Sequence, residues 1–157
     1  MKKFMTKSKN KKQDLPELEI NRQGKITFPS LSVVFDPSEL TPDICLEALA
    51  DYKAKDDLNM GTSFIWQSYA VLFEGETAFL SFCFKEDLLI ELSISVELSS
   101  QKTVDDWPTE ASSKQEIKFI QKAFRKQFGG KLKYGKPYHY FDLKGFCAQC
   151  GISYHNI

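Results

Sequence analysis

Between Thr62 and Glu97 three runs of apolar, β-branched and aromatic residues follow one another, broken only by Glu74-Gly75-Glu76 and Lys85-Glu86-Asp87. Long β-prone runs with short polar gaps predict an antiparallel meander. In the first run Phe64, Trp66, Ala70 and Leu72 alternate with Ile65, Tyr69, Val71 and Phe73, so the two sets face opposite sides. The second run, Ala78 to Phe84, is apolar at both parities, which predicts a central strand covered on each side. The third alternates: Ile90, Leu92, Ile94 and Val96 are expected inward, with Glu91, Ser93, Ser95 and Glu97 in water.

Weaker signals flank this meander. Leu18 to Ile20 and Lys25 to Phe28 surround Asn21-Arg22-Gln23-Gly24 and predict a hairpin ended by Pro29, with Leu31 to Phe35 as a further extended piece. Thr41-Pro42-Asp43 has the cap, first-position proline and first-turn acid of a helix start. Leu40, Ile44, Ala48, Leu49 and Tyr52 form its expected buried stripe, with Asp43, Glu47, Asp51 and Lys53 outside. Lys55 to Gly61 reads as a polar loop, and residues 98–111 as a connection anchored by Trp107.

Ser113 and Glu116 have capping-box spacing and predict a second helix, ended after Phe128 by Gly129-Gly130. Ile117, Ile120, Ala123, Phe124 and Phe128 make its apolar side, and Lys118, Lys122, Arg125 and Lys126 its basic one. Tyr138 to Phe141 and Phe146 to Tyr154 predict a closing hairpin around Lys144-Gly145. The expected fold is therefore α+β, a mainly antiparallel sheet of meander plus hairpins packed by two α-helices near residues 42–53 and 113–128.

Length and composition add limits. The 157 residues suit a basic tail over residues 1–14 and a single domain over residues 15–157. Thirteen Phe, six Tyr and two Trp supply core without help from a disulfide, metal or cofactor. No apolar segment reaches the ~20 residues that a bilayer demands, and no signal-peptide core follows the first lysines, so the expectation is a cytoplasmic protein with no membrane partner. Cys45, Cys83, Cys147 and Cys150 are then expected as reduced thiols.

A net charge of zero hides three blocks. Residues 1–13 carry six lysines and no acid, residues 14–112 nineteen acids against six bases, and residues 113–157 nine bases against two acids. Such two-signed segregation suits steering of a macromolecular partner. The acidic side offers Glu39, Asp43, Glu47 and Asp51 as partner-binding residues, and nucleic acid is not the expected partner.

Candidate chemistry is sparse. Gly130 to Lys136 has P-loop-like glycines and lysines, but Pro137 stands where a magnesium-binding hydroxyl belongs and the segment follows a helix rather than opening one. Cys147-Ala148-Gln149-Cys150-Gly151 has the form of half a zinc knuckle, which His139 and His155 could complete. In a strand, an offset of three sends the two thiols to opposite faces, with Phe146, Ala148, Cys150, Ile152 and Tyr154 inward. Only His139 and His155 could serve as imidazole bases, and no acidic pair stands apart, so an enzyme is not expected. The alternative to protein binding is a zinc-knuckle regulatory or nucleic-acid-binding module using the CAQC turn and the basic helix. Trp66, Tyr69, Trp107, Tyr134, Tyr138 and Tyr140 are the aromatics able to anchor an interface if exposed.

Several stretches also carry a family resemblance: Gly24-Lys25-Ile26-Thr27-Phe28-Pro29, the capped helix, Phe64-Ile65-Trp66 leading to Tyr69-Ala70-Val71-Leu72-Phe73, the late Tyr140-Phe141 with Gly145, and the terminal Ile152-Ser153-Tyr154. In order and type these resemble the immunity proteins encoded beside bacterial polymorphic toxins. The resemblance implies a non-enzymatic inhibitor that binds a cognate toxin, often a basic nuclease, and masks its active site. CAQC and the basic tail depart from it, and it carries over no individual functional residue.

Overall fold

The computed structural model describes residues 14–21, 24–60, 63–98, 103–104, 107–128, 132, 135–143 and 147–155. The expected tail, apart from Asp14, lies outside these residues, as do Gly129-Gly130, most of the glycine- and lysine-rich loop and the Lys144-Gly145 turn. The chain opens with β1 (Glu19–Ile20), β2 (Ile26–Phe28) and β3 (Val33–Phe35), which form a three-stranded antiparallel sheet. Helix α1 (Pro42–Leu49) runs into a short tight turn of helix, Ala50–Tyr52. Next come β4 (Leu58–Met60) and the meander β5 (Phe64–Phe73), β6 (Glu76–Lys85) and β7 (Leu88–Glu97). A minimal hairpin, β8 (Thr103–Val104) and β9 (Trp107–Pro108), leads to α2 (Glu110–Phe128), and β10 (Gly135–Asp142) and β11 (Cys147–Tyr154) close the fold. The architecture is α+β, as the hydrophobic pattern requires.

The main sheet has six strands in the order β10-β11-β7-β6-β5-β4, every pair antiparallel. Its meander turns are two-residue loops in which Glu74, Gly75, Glu86 and Asp87 all take positive φ, between 50° and 79°. That is the geometry whose twist matches a right-handed hairpin, here imposed on three acidic residues by the strands either side. Lys55 to Gly61, expected as a loop, contains β4, because Leu58 to Met60 complete the ladder of Phe64 to Trp66.

One face of the sheet is the core. Ala78, Leu80, Phe82 and Phe84 of β6 lie in register with Val71 and Tyr69 of β5 and with Val96, Ile94 and Leu92 of β7, and all are buried. The small sheet packs there through Phe35, whose ring meets Phe82 edge-on at 6.4 Å, while Phe28 meets Phe35 at 5.9 Å. α1 covers the β5 side of this face and α2 the β10–β11 side.

Two expectations for the meander fail, each for its own reason. Both helices and the small sheet cover a single face, so β6 is not enclosed on each side, and Phe79 on its other face is 39% exposed. The register also shifts between Cys83 and Phe84: Cys83 faces Glu91 but Phe84 faces Leu89. Ile90 is thus the extra residue of a bulge, and Leu89, not Ile90, fills the inward place.

The second helix begins three residues earlier than Ser113. Thr109 is its cap: Thr109 Oγ1 accepts from the Ser112 N–H at 3.1 Å, and Ser112 Oγ accepts from the Thr109 N–H at 2.8 Å. This is a reciprocal capping box with serine in the third position. Glu116, released from capping, is buried, and its Oε1 accepts from the Ala148 N–H at 2.6 Å. The pairing of β7 with β11 ends at Gln149, so the carboxylate serves a strand donor beyond the reach of that ladder.

Candidate functional site

α1 forms where the sequence places it. Thr41 Oγ1 accepts from the Ile44 N–H at 3.3 Å, Pro42 takes the first turn, and Asp43 sits at the positive end of the helix dipole. In the preceding turn Asp36 Oδ1 accepts from both the N–H and the hydroxyl of Ser38, and the Glu39 N–H returns to the Asp36 carbonyl. Glu39 is thereby held at the mouth of the helix, and it is exposed.

The buried face of α1 differs from the expected stripe. Pro42, Cys45 and Leu49 face the core, while Ile44 is 42% and Leu46 39% exposed. Two features cause the rotation. Leu40 is buried but precedes the Thr41 cap, so it does not fix the phase of the helix. The buried Gln67 amide donates to the Pro42 carbonyl at 3.3 Å and to Asp57 Oδ2 at 3.4 Å, turning the Pro42 side toward the sheet. Tyr69 adds its hydroxyl to Gln67 Oε1 at 3.1 Å, and Lys53 pairs with Asp57, which completes the dock.

The outward arc of α1 carries Asp43, Ile44, Leu46 and Glu47, spanning roughly 160° at the helical repeat, and Asp51 follows in the short tight turn beyond it. Asp43 and Glu47 stand four residues apart along its middle, with Ile44 and Leu46 on either side of them. All three acids and Glu39 are exposed, and among the described residues none of the four is in an ion pair. No base occupies the last turn. Like charges at this spacing cost each other about 0.2–0.5 kcal/mol, and acids near a helix C-terminus oppose the dipole. Asp43 gains from the dipole at the helix start, so the local cost falls on Glu47, which stands four residues from it and nearer the helix end.

The zinc alternative needed Cys147, Cys150, His139 and His155 together. Cys150 is fully buried on the core face of β11, while Cys147 projects to the other face, where Gln149 Nε2 donates to its sulfur at 3.4 Å. His139 lies opposite Cys150 in register, its ring 4.7 Å from Phe124 of α2, and His155 is exposed beyond the end of β11. Among the described residues no group of three or more His, Cys, Asp and Glu is placed to hold a metal. All four cysteines are free thiols. Burial pushes Cys83 up to about 11 and Cys150 up to about 12, and raises Cys45 and Cys147 as well, so none is primed as a thiolate nucleophile.

The aromatic candidates divide. Tyr69 is core, Trp66 and Tyr138 are half-buried on the open face of the sheet, and Tyr140 is 49% exposed. The side chain of Trp107, and Tyr134, lie outside the described residues. Tyr138 crosses the strand beside it. Its ring lies over Gly151, and its hydroxyl donates to Glu91 Oε1 at 2.5 Å. A Cβ at Gly151 would stand 2.1 Å from the Leu92 carbonyl oxygen and under 3 Å from the Tyr138 ring and hydroxyl. Burial first, and the bond to Glu91 second, push the Tyr138 hydroxyl well above the usual phenol range. Glu116, Gln67 and this tyrosine latch escaped the sequence; only a glycine facing an aromatic strand hinted at the last.

No helix among the described residues is long and apolar enough to cross a membrane. No protein-family model, curated protein or solved structure matches the chain.

Proposed function

We propose that this chain is a non-enzymatic, cytoplasmic protein-binding module of the bacterial immunity-protein kind, which neutralises a basic toxin by docking on the exposed face of α1. The supporting observation is the row Asp43, Glu47 and Asp51, extended by Glu39, with no described ion pair and with Ile44 and Leu46 exposed at its borders. An interface needs apolar anchors to bury and charges to orient and steer the encounter, and this arc supplies both. A nuclease's phosphate-binding surface is positive, so an acidic, partly apolar ridge is the complementary shape and charge to cover it. The reading draws nothing from zinc or thiol chemistry, whose candidate residues are dispersed or held protonated.

The test is co-expression with the product of the gene adjacent to its own. The reading requires a complex that survives purification, weakens as salt rises, and protects cells that express the neighbour alone at a cost to growth. A neighbour that is neither bound nor neutralised removes it.

A further inference from the structure

The outward faces of the two helices are opposite in charge, and neither is neutralised among the described residues. The basic row of α2 is engaged at its ends and open in its middle. Lys114 pairs with Glu110 at 3.1 Å and Lys126 with Glu74 at 2.9 Å, whereas Lys118, Lys122 and Arg125 are exposed and in no ion pair among the described residues. At the helical repeat these three side chains fall within about 60° of one another, so they form a single stripe. On α1 the exposed Asp43 and Glu47 are likewise in no ion pair among the described residues. Within one chain the two stripes do not meet, because α1 stands over β5 and α2 over β10 and β11.

The stripes match in spacing as well as in sign. Asp43 and Glu47 stand about 6 Å apart along their helix axis, and Lys118 and Lys122 about 6 Å apart along theirs, since each pair is separated by four residues. With α1 of one copy laid antiparallel on α2 of a second, Asp43 meets Lys122 and Glu47 meets Lys118, while Glu39, ahead of the helix, lies toward Arg125. That direction also sets the two helix dipoles against each other. Ile44 and Leu46, 42% and 39% exposed, then rest on the methylene stems of the lysines, which cover apolar surface while their ammonium groups reach the carboxylates. Nothing at longer range opposes a second copy. The formal net charge is zero at pH 7 and the sequence pI is about 6.7, so two copies do not repel each other as like-charged bodies.

We infer that the chain self-associates head to tail, the acidic face of α1 in one copy docking on the basic stripe of α2 in the next. The contact occupies the α1 face proposed for a toxin but does not rest on that reading, since it needs only the chain itself; a toxin binding there would displace it. Sedimentation velocity over a concentration series, on the full chain with no other protein present, tests it with three proteins: wild type, an α1 exchange (Asp43→Lys with Glu47→Lys) and an α2 exchange (Lys118→Glu with Lys122→Glu). Circular dichroism confirms that each is folded. Wild type should associate at low salt and dissociate as salt rises. Each exchange alone sets like charges together and should weaken association at least ~10-fold. An equimolar mixture of the two exchanges restores opposite charges at the contact and should associate to within ~3-fold of wild type, which no loss of folding would produce. Wild type that stays monomeric at low salt overturns the inference, as do exchanges that associate like wild type or a mixture that remains monomeric. A monomeric wild type that instead binds a DNA duplex, and loses it in the α2 exchange, would assign the basic stripe to phosphates and overturn it too.

Discussion

The two helices use their polar groups in opposite ways. On α2 the Thr109–Ser112 box caps the start, Glu116 completes a β11 donor, and Gln127 both donates to Glu74 at 2.5 Å and accepts from the Ile20 N–H at 2.9 Å. Lys126 pairs with the same Glu74 at 2.9 Å, so even part of the basic face is tied to the β5–β6 turn. On α1 only the first turn is tied down, and the outward acids and aliphatics meet no described partner. α2 behaves as a structural brace, whereas α1 is a helix whose outer face costs the free protein some stability. Spare, mutually repelling charge beside exposed Ile44 and Leu46 is the feature on which the docking role proposed for α1 rests.

The largest effect should come from cutting the brace. Glu116→Ala leaves the Ala148 N–H buried without its carboxyl acceptor and should lower unfolding free energy by about 1–3 kcal/mol in urea titrations. Gln67→Leu, which frees Tyr69 and releases the Pro42 carbonyl, should cost about 1.5 kcal/mol and raise amide exchange in α1 more than in α2. Thr109→Ala removes the cap and should cost about 1 kcal/mol. The smallest effect has the opposite sign: Glu47→Lys relieves repulsion from Asp43 and Asp51 and suits the helix C-terminus, so it should stabilise the free chain by about 0.5 kcal/mol. A loss of stability on that exchange would mean the row is structural, and the contrast between the helices would collapse.

How far the sequence could be read follows the same division. Period-two runs with acidic or glycine turns disclosed β5 to β7, and the Thr-Pro-Asp start disclosed α1, because those signals are local. The phase of α1 was hidden, since it depends on a glutamine in β5, 25 residues from the proline it binds. Glu116 mimicked a capping residue because its true partner, Ala148, lies across the fold. The inward Leu89 required the Cys83–Phe84 bulge, which alternation alone places one residue away. Acidity near α1 was legible as composition, whereas its assembly with Ile44 and Leu46 into one exposed arc was not.

The most direct measurement is a binding titration of the adjacent gene's product against wild type and against a chain carrying Glu39→Gln, Asp43→Asn, Glu47→Gln and Asp51→Asn. Binding by wild type, with affinity reduced at least ~100-fold in the fourfold variant and that variant as stable as wild type or more so, is the predicted result. Equal binding by the two proteins would contradict a docking role for α1.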